Sequence, residues 1–197
     1  MFINIGDVVR ETRAEGPGNR YALWVQGCRI RCPGCCNPHF FSQQPKTIRS
    51  VEEVFDEIRA LPSIEGVTFL GGEPFEQAAA LTQLAQKVRS IGLSVMVFSG
   101  RTWKELQREP LSQKLLQHCD LLVAGPFDQN QKEVDQRRWI GSYNQTTHIL
   151  SERYQHWKDN WPQGRNCIEM VYKDGELSIN GFPVEELSRT SIRAWRK

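Results

Sequence analysis

The chain has 197 residues, 39% of them hydrophobic, and its 25 basic and 23 acidic side chains leave a net charge of +2. That is enough apolar content for one core, and so even a charge balance argues against a nucleic-acid tail or a polybasic membrane anchor. No apolar run reaches the roughly 18 residues of a membrane span, and MFINIGDVVRE lacks the basic-then-apolar order of a signal peptide. A cytoplasmic protein follows, with no nucleic-acid or membrane partner. Its clustered cysteines then bind metal or do redox work rather than form disulfides.

In chain order, the apolar run Tyr21–Gln26 predicts a buried strand. It leads into GCRIRCPGCC, four cysteines within residues 27–36. Ser50 and Glu53 form a capping box, and Val51, Val54, Phe55, Ile58 and Leu61 follow at helical spacing. Val67–Leu70 is a second strand, ending at Gly71-Gly72. Leu81, Leu84, Ala85, Val88 and Ile91 mark a second helix, stopped at Gly92. Leu93–Phe98 is a third strand, and Thr102 with Glu105 caps a third helix that Pro110 interrupts. Leu121–Ala124 is a fourth strand. This βαβα order predicts an α/β fold with a parallel sheet, whose ligand edge lies at the strand C-termini. Residues 126–165 read as irregular. Asp174-Gly175 reads as the turn of a hairpin between Ile168–Lys173 and Glu176–Ile179, and the tail beyond Pro183 as a short helix. The predicted organisation is a single domain over residues 1–197, with its core at about 15–150 and the hairpin and tail at 166–197.

The cysteine spacing is Cys28-x3-Cys32-x2-Cys35, with Cys36 directly after. Thiolates are soft ligands that suit zinc or iron–sulfur clusters. His39 supplies a fourth ligand for a structural zinc knuckle. Alternatively, three cysteines hold a [4Fe–4S] cubane and leave one iron open. Cys36, Cys119 and Cys167 read as small packing residues, with Cys36 turned away from Cys35.

C-x3-C-x2-C, followed by Gly71-Gly72-Glu73-Pro74 at a strand end, resembles the radical S-adenosylmethionine (SAM) enzymes. EGPGNRYALWVQGC (15–28) is similar to the opening of the glycyl-radical-enzyme activases. DLLVAGPF (120–127) with GSYNQ (141–145) resembles the anaerobic ribonucleotide reductase activating proteins. The resemblance covers roughly residues 3–150 and points to the compact, single-cluster, activase-like branch of the superfamily. It implies a partial (β/α)6-type barrel, because the chain is too short for all eight units of a full one. It implies a [4Fe–4S] cluster on Cys28, Cys32 and Cys35, with SAM on the open iron. An electron from the cluster cleaves SAM, and the 5′-deoxyadenosyl radical takes hydrogen from a substrate. Gly71, Gly72 and Glu73 would contact SAM, and Ser99 would hydrogen-bond it or serve as a helix-entry turn residue. Asn37 stands where the activases have it. The chain departs from the pattern at Ala124, commonly Asp, at Ile140, commonly Arg, and at Glu15, commonly Asp. Arg137 or Arg138 could replace the missing Arg by forked hydrogen bonding, or be solvated.

An open site on a short chain favours a polypeptide substrate. The double departure at Ala124 and Ile140 favours maturation of a ribosomally made peptide, by excision of a tyramine unit to leave a β-amino acid. That reaction would involve a separate peptide-recognition protein and an electron donor. The alternative is an activase that generates a glycyl radical on a partner enzyme. A non-catalytic zinc adaptor is the third reading. The basic tail (Arg189, Arg193, Arg196, Lys197) is a solvated end or a grip for an acidic peptide.

Overall fold

The computed structural model describes residues 1–133, 136–173 and 176–181. Seven strands form one open sheet: β1 (Phe2–Thr12), β2 (Arg20–Val25), β3 (Thr47–Ser50), β4 (Gly66–Gly71), β5 (Ser94–Ser99), β6 (Leu121–Ala124) and β7 (Thr146–Ile149). Their order is β3-β1-β2-β4-β5-β6-β7. β2, β4, β5 and β6 are mutually parallel, β1 and β7 pair antiparallel with the two edges of that group, and β3 pairs antiparallel with β1. This is the expected α/β partial barrel. Its parallel part is four strands wide, because the chain returns at both flanks through antiparallel strands instead of further crossover helices.

Every residue of β2 is buried, as a strand covered on both faces requires. Its side chains alternate. Tyr21, Leu23 and Val25 join Val67, Phe69, Val95 and Val97 in the core under the helices α1 (Val51–Arg59), α2 (Ala78–Ser90) and α4 (Pro110–Leu116). Ala22 and Trp24 face the other way, with Leu70 and Phe40. Beside them on that second face, Met96, Leu121 and Val123 pack against Trp139, Ile140 and Trp161.

α1 starts where its capping box predicts: the Glu53 amide donates to Ser50 Oγ at 3.2 Å, and the Ser50 amide to Glu53 at 2.7 Å. The Thr102 box opens only the one-turn helix α3 (Trp103–Leu106), and Pro110 starts α4 at a position where its missing N–H costs nothing. α2 ends at Ser90, which leaves Ile91 exposed beyond its last turn. β1, β3 and β7 lie in stretches that the sequence pattern did not mark as strands. β8 (Ile168–Lys173) and β9 (Glu176–Gly181) form the expected hairpin, a separate two-stranded sheet. Its Asp174-Gly175 turn, the tail helix and the basic tail lie outside the described residues.

Arg20 fixes the loop before β2. Its fully buried guanidinium donates to the Pro17, Val67 and Ser94 carbonyls and to the Thr68 and Ser94 hydroxyls. Burial pulls its pKa down to about 10. Arg20→Leu leaves these acceptors unsatisfied in the interior, so a loss of about 3 kcal/mol in unfolding free energy is expected. A urea midpoint equal to wild type would show that the loop holds without Arg20.

Candidate functional site

The C-terminal ends of the parallel strands lie side by side, with Val25 opposite Gly71 and Ser99 opposite Ala124. The cysteine loop leaves β2 at this edge and is fastened on several sides. The Gln26 amide donates to the Asn4 carbonyl at 2.8 Å, and the Gly27 amide to the Phe40 carbonyl at 2.9 Å. The Gln77 side chain donates to the Asn4 and Gln26 carbonyls, and the Arg29 amide reaches Glu76 at 2.8 Å. Within the loop the Cys35 amide donates to the Cys32 carbonyl, and Gly27, Arg31 and Gly34 have positive φ. Gln77 was invisible as a site residue in the sequence, since a lone Gln behind GGEP carries no motif.

The Gly71–Pro74 turn packs onto this loop. The Gly72 amide donates to the Val25 carbonyl and the Glu73 amide to the Gly27 carbonyl, both at 2.8 Å. A Cβ on Gly72 would fall on the Gly27 carbonyl oxygen. Gly71 has φ +103°, and a Cβ there would meet the Trp24 backbone at 2.7 Å. Both glycines are therefore needed for contact between the two turns, a requirement separate from any contact with a ligand.

Glu73 is 1% exposed. Its carboxylate accepts from the Phe75 amide (3.0 Å), the Ser99 hydroxyl (2.9 Å) and the Gly100 amide (2.8 Å). Burial outweighs these donors and raises its pKa to about 7. Ser99 Oγ also accepts from the Arg101 amide at 3.0 Å. The structure thus joins Glu73 and Ser99 into one unit and gives Ser99 the turn contact anticipated as its second role.

Cys28, Cys32, Cys35 and Cys36 all line one pocket of about 570 Å³, with Gly71, Gly72, Glu73, Ser99, Gly100 and Asn37 also in its wall. Cys28 is buried and Cys32 half-buried, and burial raises both thiols. A hydrogen bond from Cys36 draws the Cys35 thiol down to about 6, and Cys36 is pushed up in turn. The Asn37 amide also reaches Cys35 Sγ, at 3.4 Å. Cys36 is exposed, so it is not a packing residue. Cys119 is the expected packing residue, buried with its thiol on the Leu115 carbonyl, whereas Cys167 is exposed. His39 is exposed and lies against the Phe40 ring. Among the described residues no three His, Cys, Asp or Glu side chains converge on a single-ion site. Soft thiols spread around a concave wall suit a multi-iron cluster, whose ligands bind different irons.

The departures have packing explanations. Ile140 is 0% exposed, in the second-face core with Trp139 and Trp161. Ala124 is buried where β6 pairs with Ser99 and Thr146. Arg137 is committed internally. It forks onto Glu133 at 2.9 and 3.1 Å and reaches the Gln145 and Tyr143 carbonyls. Arg138 stacks over Trp139. Both make these contacts within the chain. Gln145, the last residue of GSYNQ, accepts from the Gly141 and Ser142 amides and donates to the Gly125 carbonyl, tying that motif to the end of β6. Glu15 is buried on the pocket wall, and burial raises its pKa to about 7.

Gly72→Ala should displace the Gly27 carbonyl and the start of the cysteine loop while the sheet persists. The expected result is at least a severalfold loss of iron after anaerobic reconstitution, with a near-native circular dichroism spectrum. Full iron loading of this variant would show that the loop tolerates the added methyl group.

A family described as a 4Fe-4S single cluster domain matches residues 14–148. The anaerobic ribonucleoside-triphosphate reductase-activating protein of Vibrio cholerae is 34% identical over 143 residues, 68% of this chain and 90% of that protein. The Escherichia coli K12 protein of the same name is 29% identical over 144 residues, 69% of this chain and 92% of its own length. A Staphylococcus aureus pyruvate formate-lyase-activating enzyme is 33% identical over 150 residues, 70% of this chain but only 56% of that enzyme. With the thiol-lined pocket at the strand ends, these likenesses assign a [4Fe–4S] cluster and SAM as cofactors, and the chain belongs to the 4Fe-4S single cluster domain family, in the activase-like branch of the radical SAM enzymes.

Proposed function

We propose that this protein is an activase that removes a backbone Cα hydrogen from a glycine of an anaerobic ribonucleoside-triphosphate reductase and leaves a glycyl radical there. The observation that carries this reading is that the proteins of that name align over about nine-tenths of their own length. The expectation of peptide maturation finds no support: the relatives are named for activation. Ala124 and Ile140, which motivated it, hold packing positions. The partners in this reading are the reductase and an electron donor.

In this reading Cys28, Cys32 and Cys35 hold the cluster. When reduced, the cluster supplies the electron that splits bound SAM into methionine and the radical that takes the glycine hydrogen. The protein's part is to place and shelter the reactants. Gly71 and Gly72 form the floor beside the cysteine loop. Glu73 has accepted three hydrogen bonds and retains room for one more, the capacity an ammonium group needs. Ser99 and the Gly100 amide hold that carboxylate still. Leu70, Phe98 and Phe127 line the same pocket with apolar surface that keeps water from a radical.

Two measurements test this. Glu73 is neutral below about 7 and anionic above it, so an ammonium binds better as pH rises through that value. SAM affinity should tighten across pH 6 to 8, and Glu73→Gln should bind weakly with a flat profile; a Glu73→Gln protein with wild-type affinity and profile would remove Glu73 from the SAM site. For the activity itself, the reconstituted, reduced protein is mixed with SAM and the ribonucleoside-triphosphate reductase of the same organism. A glycyl-radical resonance on the reductase, formed with stoichiometric 5′-deoxyadenosine, is expected. 5′-Deoxyadenosine without that resonance would overturn the activase reading.

A further inference from the structure

The pocket wall does not end with the strand tips. Arg165, Asn166 and Ile168 also line it, and Ile168 is the first residue of β8. The β8–β9 hairpin is held by one face. Glu169 accepts from the Thr12 hydroxyl and the Arg13 amide, and Asn180 donates to the Thr12 hydroxyl at 2.6 Å. No described residue covers the other face. Met170 and Ile179 stand directly opposite each other and are 48% and 42% exposed.

The backbone bonding pattern follows from one contact. The Gly181 amide donates to Glu15 Oε1 at 3.1 Å, so it points away from β8. In an antiparallel pair, bonded and non-bonded residue pairs alternate. Gly181 opposite Ile168 is then a non-bonded pair, and so is Ile179 opposite Met170. It follows that the amides and carbonyls of Ile168 and Met170 point out from the free edge of β8. That sheet pairs with no other strand among the described residues. Ile168 and Met170, two residues apart, also share a face. An open backbone edge and an exposed apolar pair therefore start together at the rim of the pocket.

We propose that the free edge of β8 is the docking strand for the reductase segment that carries the target glycine. That segment adds to β8 in extended form, lays an apolar neighbour of the glycine on Met170 and Ile179, and enters the pocket past Ile168. The inference rests on the activase reading. The chemistry favours a backbone edge, because glycine offers no side chain to recognise. A target of that kind is held by main-chain hydrogen bonds plus pockets for its neighbours.

Hydrogen exchange of the intact, cluster-loaded protein is measured with and without the reductase. The amides of Ile168 and Met170 should slow about tenfold or more when the reductase is present. Met170→Pro removes one outward N–H at an edge position that tolerates proline, and Met170→Ala keeps it. The reductase concentration for half-maximal radical yield should rise about tenfold in the proline variant and distinctly less in the alanine variant. Iron content and substrate-free 5′-deoxyadenosine formation report whether each variant is folded; if the proline variant is not, exchange in the wild type decides. Unchanged exchange at both amides, with a normal glycyl radical, overturns the docking edge alone. A wild-type protein that forms no glycyl radical overturns the activase reading instead.

Discussion

The site depends on one close approach between two backbone turns. A parallel ladder ends where its strands end, yet here pairing continues past the sheet edge: the Gly72 and Glu73 amides reach the Val25 and Gly27 carbonyls. The approach is possible only because residue 72 has no Cβ. Through it, the turn that bears Glu73 and the loop that bears Cys28 become one rigid body. The bonds from Gln26, Gly27, Arg29 and Gln77 then fix the rest of that loop to β1, to the Phe40 turn and to the segment before α2. A cysteine loop alone would have no reason to keep its thiols on one wall.

Glu73 shows how the same body is tuned. A fully buried carboxylate is costly, and three donors offset that cost in part, as its pKa near 7 indicates. Two of the three donors come from β5 and its turn, so Ser99 and Gly100 help set the position of a group on the turn that follows β4. Residues that the motif separates by 26 positions act as one unit. A substitution at Ser99 would be felt directly at Glu73.

Where packing is encoded locally, the sequence could be read directly. Ser50 and Glu53 make their capping box from residues three apart, and Tyr21–Gln26 is buried on both faces, so neither needs knowledge of distant partners. The cysteine spacing and GGEP were legible for the same reason. β1 was not. Register shifts between Ile5 and Asp7 and between Val9 and Thr12 break its alternation. β3 and β7 are four-residue edge strands with half-exposed side chains, so they carry little apolar pattern. The internal partners of Arg137, Glu133 and the carbonyls of Tyr143 and Gln145, are brought to it by the fold and leave no local pattern in the sequence. Ile140 looked like a lost Arg in a motif, when its neighbours in space make it core.

The two ends of the pocket have different origins. The family match stops at residue 148, and it contains every cysteine on the wall, both glycines, Glu73 and Ser99. Arg165, Asn166 and Ile168 lie beyond it, yet they line the same cavity. Glu15 joins the parts: it sits in the GPG segment inside the matched region, and it takes the Gly181 amide at the end of β9. The thiols and the Gly71–Glu73 turn on the cavity wall thus lie in the matched region, and another part of the wall lies outside it. Among the described residues the hairpin bonds to Thr12, Arg13 and Glu15, and of these only Glu15 lies within the matched region.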